Sequence, residues 1–436
     1  MIKDSSFNKE ALGEKIALYA NKVATNRFIG AIRDAFASTI PITITAAFFL
    51  LVNNVLLTED TGLLRGIPGR AIISEVCVQA YNGTLGILGI MVTFLIGVRL
   101  ARSYDSDGAL EGIVALASYV CLVPNIINIT GFDGTEIQTS GTLTQTYTSA
   151  SAMLLGILAA LISVPLVVKL SANNRLKIKM PESVPPAIAK SFNSLIPAFI
   201  AISIFAIGEV VLRTATGLTI PEIVVNILQA PLVGGFQTLP GILLYVFLST
   251  FVFIFGIHGA FVFGAISGPI LLTSLQQNVE AINAGSAAPN IVTQPFLDAY
   301  VYMGGGGTMI CLVIAVLLFS KRDDQRMIAK LGGVSSLFNI SEPMMFGLPI
   351  VFNPVYAIPF CIVPMVSTLL AYIATSLSLV NPTYILIPWV TPPVLSGYLA
   401  TAGDVRAAIL QIVIIVVGTF IYMPFVIISN KMESKG

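Results

Sequence analysis

The sequence predicts an all-α polytopic membrane protein with about ten transmembrane helices, re-entrant hairpins and an amphipathic N-terminal helix. Three observations predict it. Of the 436 residues, 56% are hydrophobic and 10% are charged, whereas a soluble globular domain carries about 25% charged residues. Apolar runs long enough to cross hydrocarbon as helices recur along the whole chain, where barrel strands would show alternation in segments of about ten residues. Lys and Arg gather in clusters separated by loops poor in both, the pattern that orients helical membrane proteins.

Taken in order, the chain opens on Glu10 to Phe28, where Leu12, Ile16, Tyr19 and Val23 fall at helical spacing among Lys15, Lys22 and Arg27. This is read as an amphipathic helix on the membrane surface, with a plain polar leader as the alternative. The first span runs from Ile29 to Leu57 with a kink expected at Pro41. A connection of mixed charge leads to Gln79, followed by spans over Leu85 to Leu100 and Leu110 to Ile127. The polar loop Asn128 to Ser149 has no Lys or Arg, and the fourth span ends near Val168, before Lys169, Arg175, Lys177, Lys179 and Lys190. A fifth span covers Phe192 to Leu212, and Thr216 to Leu239 reads as a segment lying flat at the outer interface.

Leu243 to Leu272 is apolar but interrupted at Gly256-Ile257-His258-Gly259. That is either two helices meeting at the break or one helix with a re-entrant partner. A span from Ala299 to Phe319 ends at Lys321, Arg322, Arg326 and Lys330, so the next stretch, Asn339 to Pro354, dips back from the cytoplasmic side. Spans over Tyr356 to Leu377 and Ala407 to Ile428 finish the chain, with the broken IPWVTPP (Ile387 to Pro393) between them. The positive clusters place both termini in the cytoplasm. Three divisions are drawn: 1–28 as the amphipathic segment, 29–217 as a first helical half, and 218–436 as a second half with broken helices and re-entrant hairpins.

Composition also narrows function. A net charge of +1 gives no nucleic-acid signal. Cys77, Cys121, Cys311 and Cys361 are single and widely spaced, so they read as packing residues. One histidine and scattered acids build no metal site, and no cofactor is implied.

Candidate chemistry sits in the interruptions. Glu342 lies in NISEPMMFGLPIVFNP, where Pro343, Gly347, Pro349 and Pro354 prevent an unbroken helix. Irregular backbone at membrane depth is tolerated where protein buries it or a watery cavity meets it, and an ionisable group there points to function; the alternative is a Glu capping a helix start near the surface. His258 is the only histidine, and beside it Gly259 lets backbone come close to a ligand; the alternative is a packing imidazole. Facing one cavity, Glu342 and His258 would hold and deprotonate a hydroxyl. Asn339 offers an amide that both donates and accepts. Trp389, the only tryptophan, either stacks on a sugar ring or belongs to the interfacial belt. Arg99, closing an apolar span, either snorkels to headgroups or lines the cavity. The turn MGGGGT (Met303 to Thr308) permits tight packing or a hinge, and lacks the Lys-Ser/Thr of a phosphate loop.

Four stretches carry a resemblance: MPESVPPAIAKSFNSLIPAFI (Met180 to Ile200), FGIHGAF (Phe255 to Phe261), VTQPFLDAYVYMGG (Val292 to Gly305) and NISEPMMFGLPIVFNP (Asn339 to Pro354). Through them the chain resembles, over nearly its full length, the membrane-spanning IIC component of the bacterial phosphoenolpyruvate-dependent sugar phosphotransferase system, lactose/cellobiose/diacetylchitobiose family. The resemblance implies a homodimer in the bacterial cell membrane, with ten membrane helices and re-entrant hairpins around a disaccharide site. It also implies a cytoplasmic IIB protein whose phosphocysteine phosphorylates the sugar 6-hydroxyl, with Glu342 and His258 at the sugar hydroxyls near that position. Phe255 stands where the family often has a Trp-Phe pair and Gln294 where it often has a Lys. No stretch reads as a fused IIB or IIA domain. Two rivals are set beside this reading: a secondary sugar transporter with Glu342 as its proton-coupling carboxylate, and a passive channel.

Overall fold

A computed structural model describes residues 25–57, 64–130, 135–178, 192–348 and 353–432, together with Lys22, Gly62, Ile350 and Val351. The expected N-terminal amphipathic helix and the start of the Met180 to Ile200 motif fall outside these residues. The chain divides into two compact units, one of Asn26–Ile42 with Asn82–Leu232, the other containing Thr43–Tyr81 and the chain from Val233 onward.

The fold is mostly helical. Among the described residues six helices are long and apolar enough to cross a membrane: Arg27–Leu56, Arg70–Arg102, Ala150–Ser171, Leu195–Thr216, Val355–Ser376 and Val405–Asn430. A bent pair, Ile220–Gln237 with Leu239–Phe253, would make a seventh. Ala109–Leu122 and Met309–Phe319 are apolar but shorter.

Helix α1 (Arg27–Leu51) is divided between the units and α2 (Arg70–Asn82) belongs to the second but for its last residue, while the first unit holds α3 (Leu88–Arg102), α4 (Ala109–Leu122), α5 (Met153–Ser171) and α6 (Leu195–Thr216). The expected connection to Gln79 is wrong in part, because α2 begins at Arg70, where the apolar Ala71-Ile72-Ile73 resumes a helical run. The span expected to reach Ile127 stops at Leu122. Pro124 follows, and the β-branched IINIT forms strand β1 (Ile126–Thr130), paired antiparallel with β2 (Glu136–Ser140). The Asn128 to Ser149 loop therefore contains a β-hairpin, the one departure from all-α structure among the described residues. Small residues draw α3 against α4. A Cβ on Gly97 would lie 2.8 Å from the Gly112 Cα and 2.9 Å from the Ala115 Cβ, the close approach that membrane helices use in place of a hydrophobic driving force. Tyr119, Leu122, Leu155, Ala159 and Phe205 fill the core behind this contact.

The second unit continues with α7 (Ile220–Gln237, begun in the first unit), α8 (Leu239–Phe253), α9 (Gly259–Asn283), α10 (Met309–Phe319), α11 (Asp323–Ser336), α12 (Glu342–Gly347), α13 (Pro354–Ser376), α14 (Leu395–Ala400) and α15 (Val405–Met432). The apolar run Leu243 to Leu272 resolves into two helices separated by a break, the first of the two readings. The expected span Ala299 to Phe319 is shorter. Leu297–Val301 is a single π turn, and residues 302–308 leave the helix before α10 starts. Helix interiors carry prolines, as at Pro41, Pro165, Pro269 and Pro424.

Buried amides bind the broken segments together. Gln411 of α15 donates to the carbonyl of Ala299 and to the Ser396 hydroxyl at 2.8 Å, and its oxygen accepts from the Gly397 N–H at 2.7 Å. Asn278 of α9 donates to the carbonyls of Asn290 (2.8 Å) and Thr383 (3.0 Å) and accepts from the Asn290 N–H. Each bond satisfies backbone that no regular ladder reaches.

Replacing Gly97 with Leu is expected to destabilise the first unit by about 1–3 kcal/mol through overpacking. Heating the detergent-solubilised protein and measuring what survives size exclusion checks this; an unchanged midpoint would contradict the tight α3–α4 contact.

Candidate functional site

Three breaks in helical backbone meet in the second unit. The first follows α8. After Phe253 the chain makes three tight turns, passes Gly256 at φ +80° and presents His258 one residue before α9. The His258 ring packs on Phe253 with centroids 4.6 Å apart and planes at 49°, and Phe253 meets Phe360 edge-on at 5.8 Å. The imidazole is thus held against an aromatic wall. Gly259 serves a different purpose from the one its sequence suggests. A Cβ there would collide with the backbone and side-chain oxygens of Ser249, so its absence admits α9 to the face of α8 rather than a ligand to the backbone.

The second break is the turn at 302–308. Gly304, Gly305 and Gly307 hold positive φ (+83°, +97° and +74°), as does Thr308 (+52°), a run of left-handed positions that favours glycine. Gly305 is also crowded: a Cβ would stand 2.7 Å from the Ser341 Cβ and 2.8 Å from the carbonyl oxygen of Asn339. The neighbouring amides are spoken for by the third segment. Asn339 Oδ1 accepts from the Gly304 N–H at 2.7 Å, and the buried Ser341 hydroxyl accepts from the Gly306 N–H at 3.2 Å.

Asn339 itself sits at φ +61°, and its Nδ2 donates to the backbone carbonyls of Trp389 (2.5 Å) and Thr391 (3.0 Å). Both donors and one of the two acceptor positions of its amide are therefore engaged within the protein. The expectation of a free amide for a ligand does not fit this geometry. Trp389 lies in the irregular 387–393 stretch, with its side chain open to the surface, 43% exposed. The same stretch runs into Val394, a β-branched residue at φ +74°, a strained position of the kind that clusters at functional sites.

Glu342 opens the short helix α12, with Pro343 in its first turn and Met344 and Met345 buried beneath it. Its side chain is exposed, and among the described residues it has no hydrogen-bond or ion-pair partner. Glu342 stands at the start of α12 and His258 at the break before α9, both in the second unit. Arg99 belongs to the other unit, where it ends α3 and donates to the Ser38 hydroxyl at 2.8 Å. Among the described residues no group of three or more His, Cys, Asp or Glu side chains gathers as a metal site. Sequence reasoning passed over Ser341 and Phe253. Ser341 is a small residue beside a conspicuous carboxylate; the run of four glycines was the available sign that something approaches that turn closely.

The second unit offers an exposed carboxylate that accepts hydroxyl protons, an imidazole at a helix break, and an exposed indole. Comparison with known proteins gives it a family. The profile described as "Phosphotransferase system, EIIC" matches residues 33–364. The chain belongs to this EIIC family. It is 32% identical over 431 residues to the oligo-beta-mannoside-specific EIIC component of Bacillus subtilis (strain 168), covering 97% of this chain and 94% of the relative. It is 27% identical to the lactose-specific EIICB component of Streptococcus mutans, covering 97% of this chain and 73% of that protein. The crystal structure of the transporter ChbC, the IIC component of an N,N'-diacetylchitobiose-specific phosphotransferase system, superposes with a TM-score of 0.87 at 31% identity, over 96% of this chain and 98% of that one. This EIIC component is accordingly an integral membrane permease of the sugar phosphotransferase system. Proton coupling through Glu342, open on the carboxylate alone, finds no support in these relatives.

Gly305→Ala is expected to weaken sugar binding about tenfold or more, since it strains a positive-φ position by about 1–3 kcal/mol and pushes Ser341 away. Titration of the purified variant with cellobiose, set against the wild type, checks this; equal affinity would mean that the turn does not shape the site.

Proposed function

We propose that this EIIC component binds and carries a β-linked disaccharide of the cellobiose, lactose or diacetylchitobiose class, and that a phosphorylated cytoplasmic IIB protein phosphorylates its 6-hydroxyl on delivery. The observation that carries the reading is Glu342: an exposed carboxylate with no hydrogen-bond or ion-pair partner among the described residues, set at a backbone break. A carboxylate so placed accepts a hydrogen bond from a sugar hydroxyl and strengthens that oxygen as a nucleophile. The names of the relatives, for oligo-beta-mannosides, lactose and N,N'-diacetylchitobiose, support the substrate class. A relative that joins IIC and IIB in its name supports the partner.

In this reaction the sugar O6 attacks phosphorus on the IIB phosphocysteine. The P–O bond forms as the P–S bond breaks, the thiolate stays on IIB, and the hydroxyl proton passes to Glu342. His258 holds the adjacent hydroxyl and Trp389 stacks on the apolar face of a pyranose ring. Arg99 snorkels toward headgroups at the end of α3, in keeping with its bond to Ser38. The added phosphate charge prevents return through lipid, so transport draws its energy from the phosphate donor.

The reading includes ten crossings with re-entrant hairpins, both termini in the cytoplasm, and a homodimer whose scaffold is the 29–217 half while 218–436 binds sugar. The charge clusters Lys169 to Lys177 and Lys321 to Lys330 favour that orientation.

Vesicles loaded with phosphorylated IIB are expected to accumulate labelled disaccharide as its phosphate, and vesicles without it to accumulate none. Unmodified sugar that builds up without IIB and collapses with a protonophore would overturn the proposal.

A further inference from the structure

We propose that Asn339 is a positioning residue that sets the spacing between the Glu342 carboxylate and the Trp389 ring, instead of binding sugar itself. The inference rests on the sugar-binding reading for its purpose, though not for its geometry. Asn339 reaches three backbone groups that belong to two other breaks in the chain. It accepts from the Gly304 N–H in the glycine turn, and it donates to the carbonyls of Trp389 and Thr391 in the IPWVTPP stretch. Two residues along its own segment, Ser341 takes the Gly306 N–H, and one further on stands Glu342. The carboxylate and the indole therefore hang from segments that a single side chain joins.

Only one common side chain meets these demands. The site requires one acceptor and two donors diverging from a single planar carbon at the end of a one-methylene stem. Aspartate offers acceptors and no donors, serine a single donor, and neutral histidine one of each. Glutamine has the amide but stands one methylene too far. The backbone narrows the choice again: φ at 339 is +61°, a left-handed conformation that asparagine tolerates better than most residues bearing a Cβ. Loss of the amide would leave two carbonyls and one N–H without their partner, in segments that have no regular hydrogen-bond ladder to fall back on.

The protein carries its own reporter, because Trp389 is its only tryptophan. Asn339→Asp keeps the acceptor for Gly304 and turns a carboxylate oxygen toward the Trp389 and Thr391 carbonyls. Asn339→Gly removes the amide while keeping the backbone conformation free of steric penalty. In sugar-free protein that elutes as the wild type does, each variant is expected to shift the Trp389 emission and increase its quenching by acrylamide. Each is also expected to raise the half-saturating cellobiose concentration about tenfold, the loss of roughly one to two net hydrogen bonds. If affinity falls while the sugar-free Trp389 signal is unchanged, Asn339 touches the sugar directly and the proposal fails. If the Trp389 signal moves and cellobiose binds neither wild type nor variant, the positioning role stands and the substrate reading is at fault. Hydrogen exchange on the unmodified protein adds an arm that does not depend on a variant folding: the Gly304 amide is expected to be protected without sugar, and exchange at the rate of an open loop would refute the bond.

Discussion

A chain that leaves helical geometry inside a membrane must still find a partner for each freed N–H and C=O within the protein. In this EIIC component that constraint falls hardest on three breaks: the glycine turn at 302–308, the segment entering α12, and the 387–393 stretch. One amide, that of Asn339 in the second of these, meets it at the other two. The glycines follow from this wiring, since Gly305 must pass within contact of Ser341 and Asn339 with no Cβ in the way. So does the exposure of Glu342. Its neighbours Asn339 and Ser341 are occupied with backbone, which leaves the carboxylate as the polar group of that segment still open to a ligand.

The same economy shapes the chemistry. A site that only had to hold sugar would be served by neutral amides and hydroxyls. In the proposed mechanism a carboxylate adds the ability to take a proton from a hydroxyl as it attacks phosphorus. Packing His258 on Phe253, itself wedged against Phe360, limits the imidazole's freedom and shields one of its faces from water. In the proposed function the phosphate donor supplies the driving force.

Much of this was legible in the sequence, because the relevant signals are local. Apolar runs and sparse charge report the solvent a helix meets, so the class of fold follows from composition. The glycine pair around His258 marked the first break, and the lone Glu342 among prolines marked the third segment. The signals were weaker where a short motif competes with a long apolar run. Pro124 and the β-branched residues after it end α4 early and build the β-hairpin, and the glycines at 304–307 cut an expected span down to α10. Asn339 was visible as a candidate but its role was not, since its partners lie 35, 50 and 52 residues away. Gly259 was misread for a related reason: the atom that requires it to be glycine is on Ser249, in the preceding helix. Long-range partners of this kind leave no periodic trace.

If Glu342 acts on the sugar hydroxyl at the moment of phosphoryl transfer, Glu342→Gln separates binding from chemistry. Calorimetric binding of disaccharide and phosphorylation by phospho-IIB would be followed on the same preparation. The variant, isosteric and still able to hydrogen-bond, is expected to keep binding within about tenfold of wild type while phosphorylation falls by about a hundredfold or more, the range of a lost general base. Phosphorylation at the wild-type rate would contradict it and return Glu342 to the role of a simple binding group.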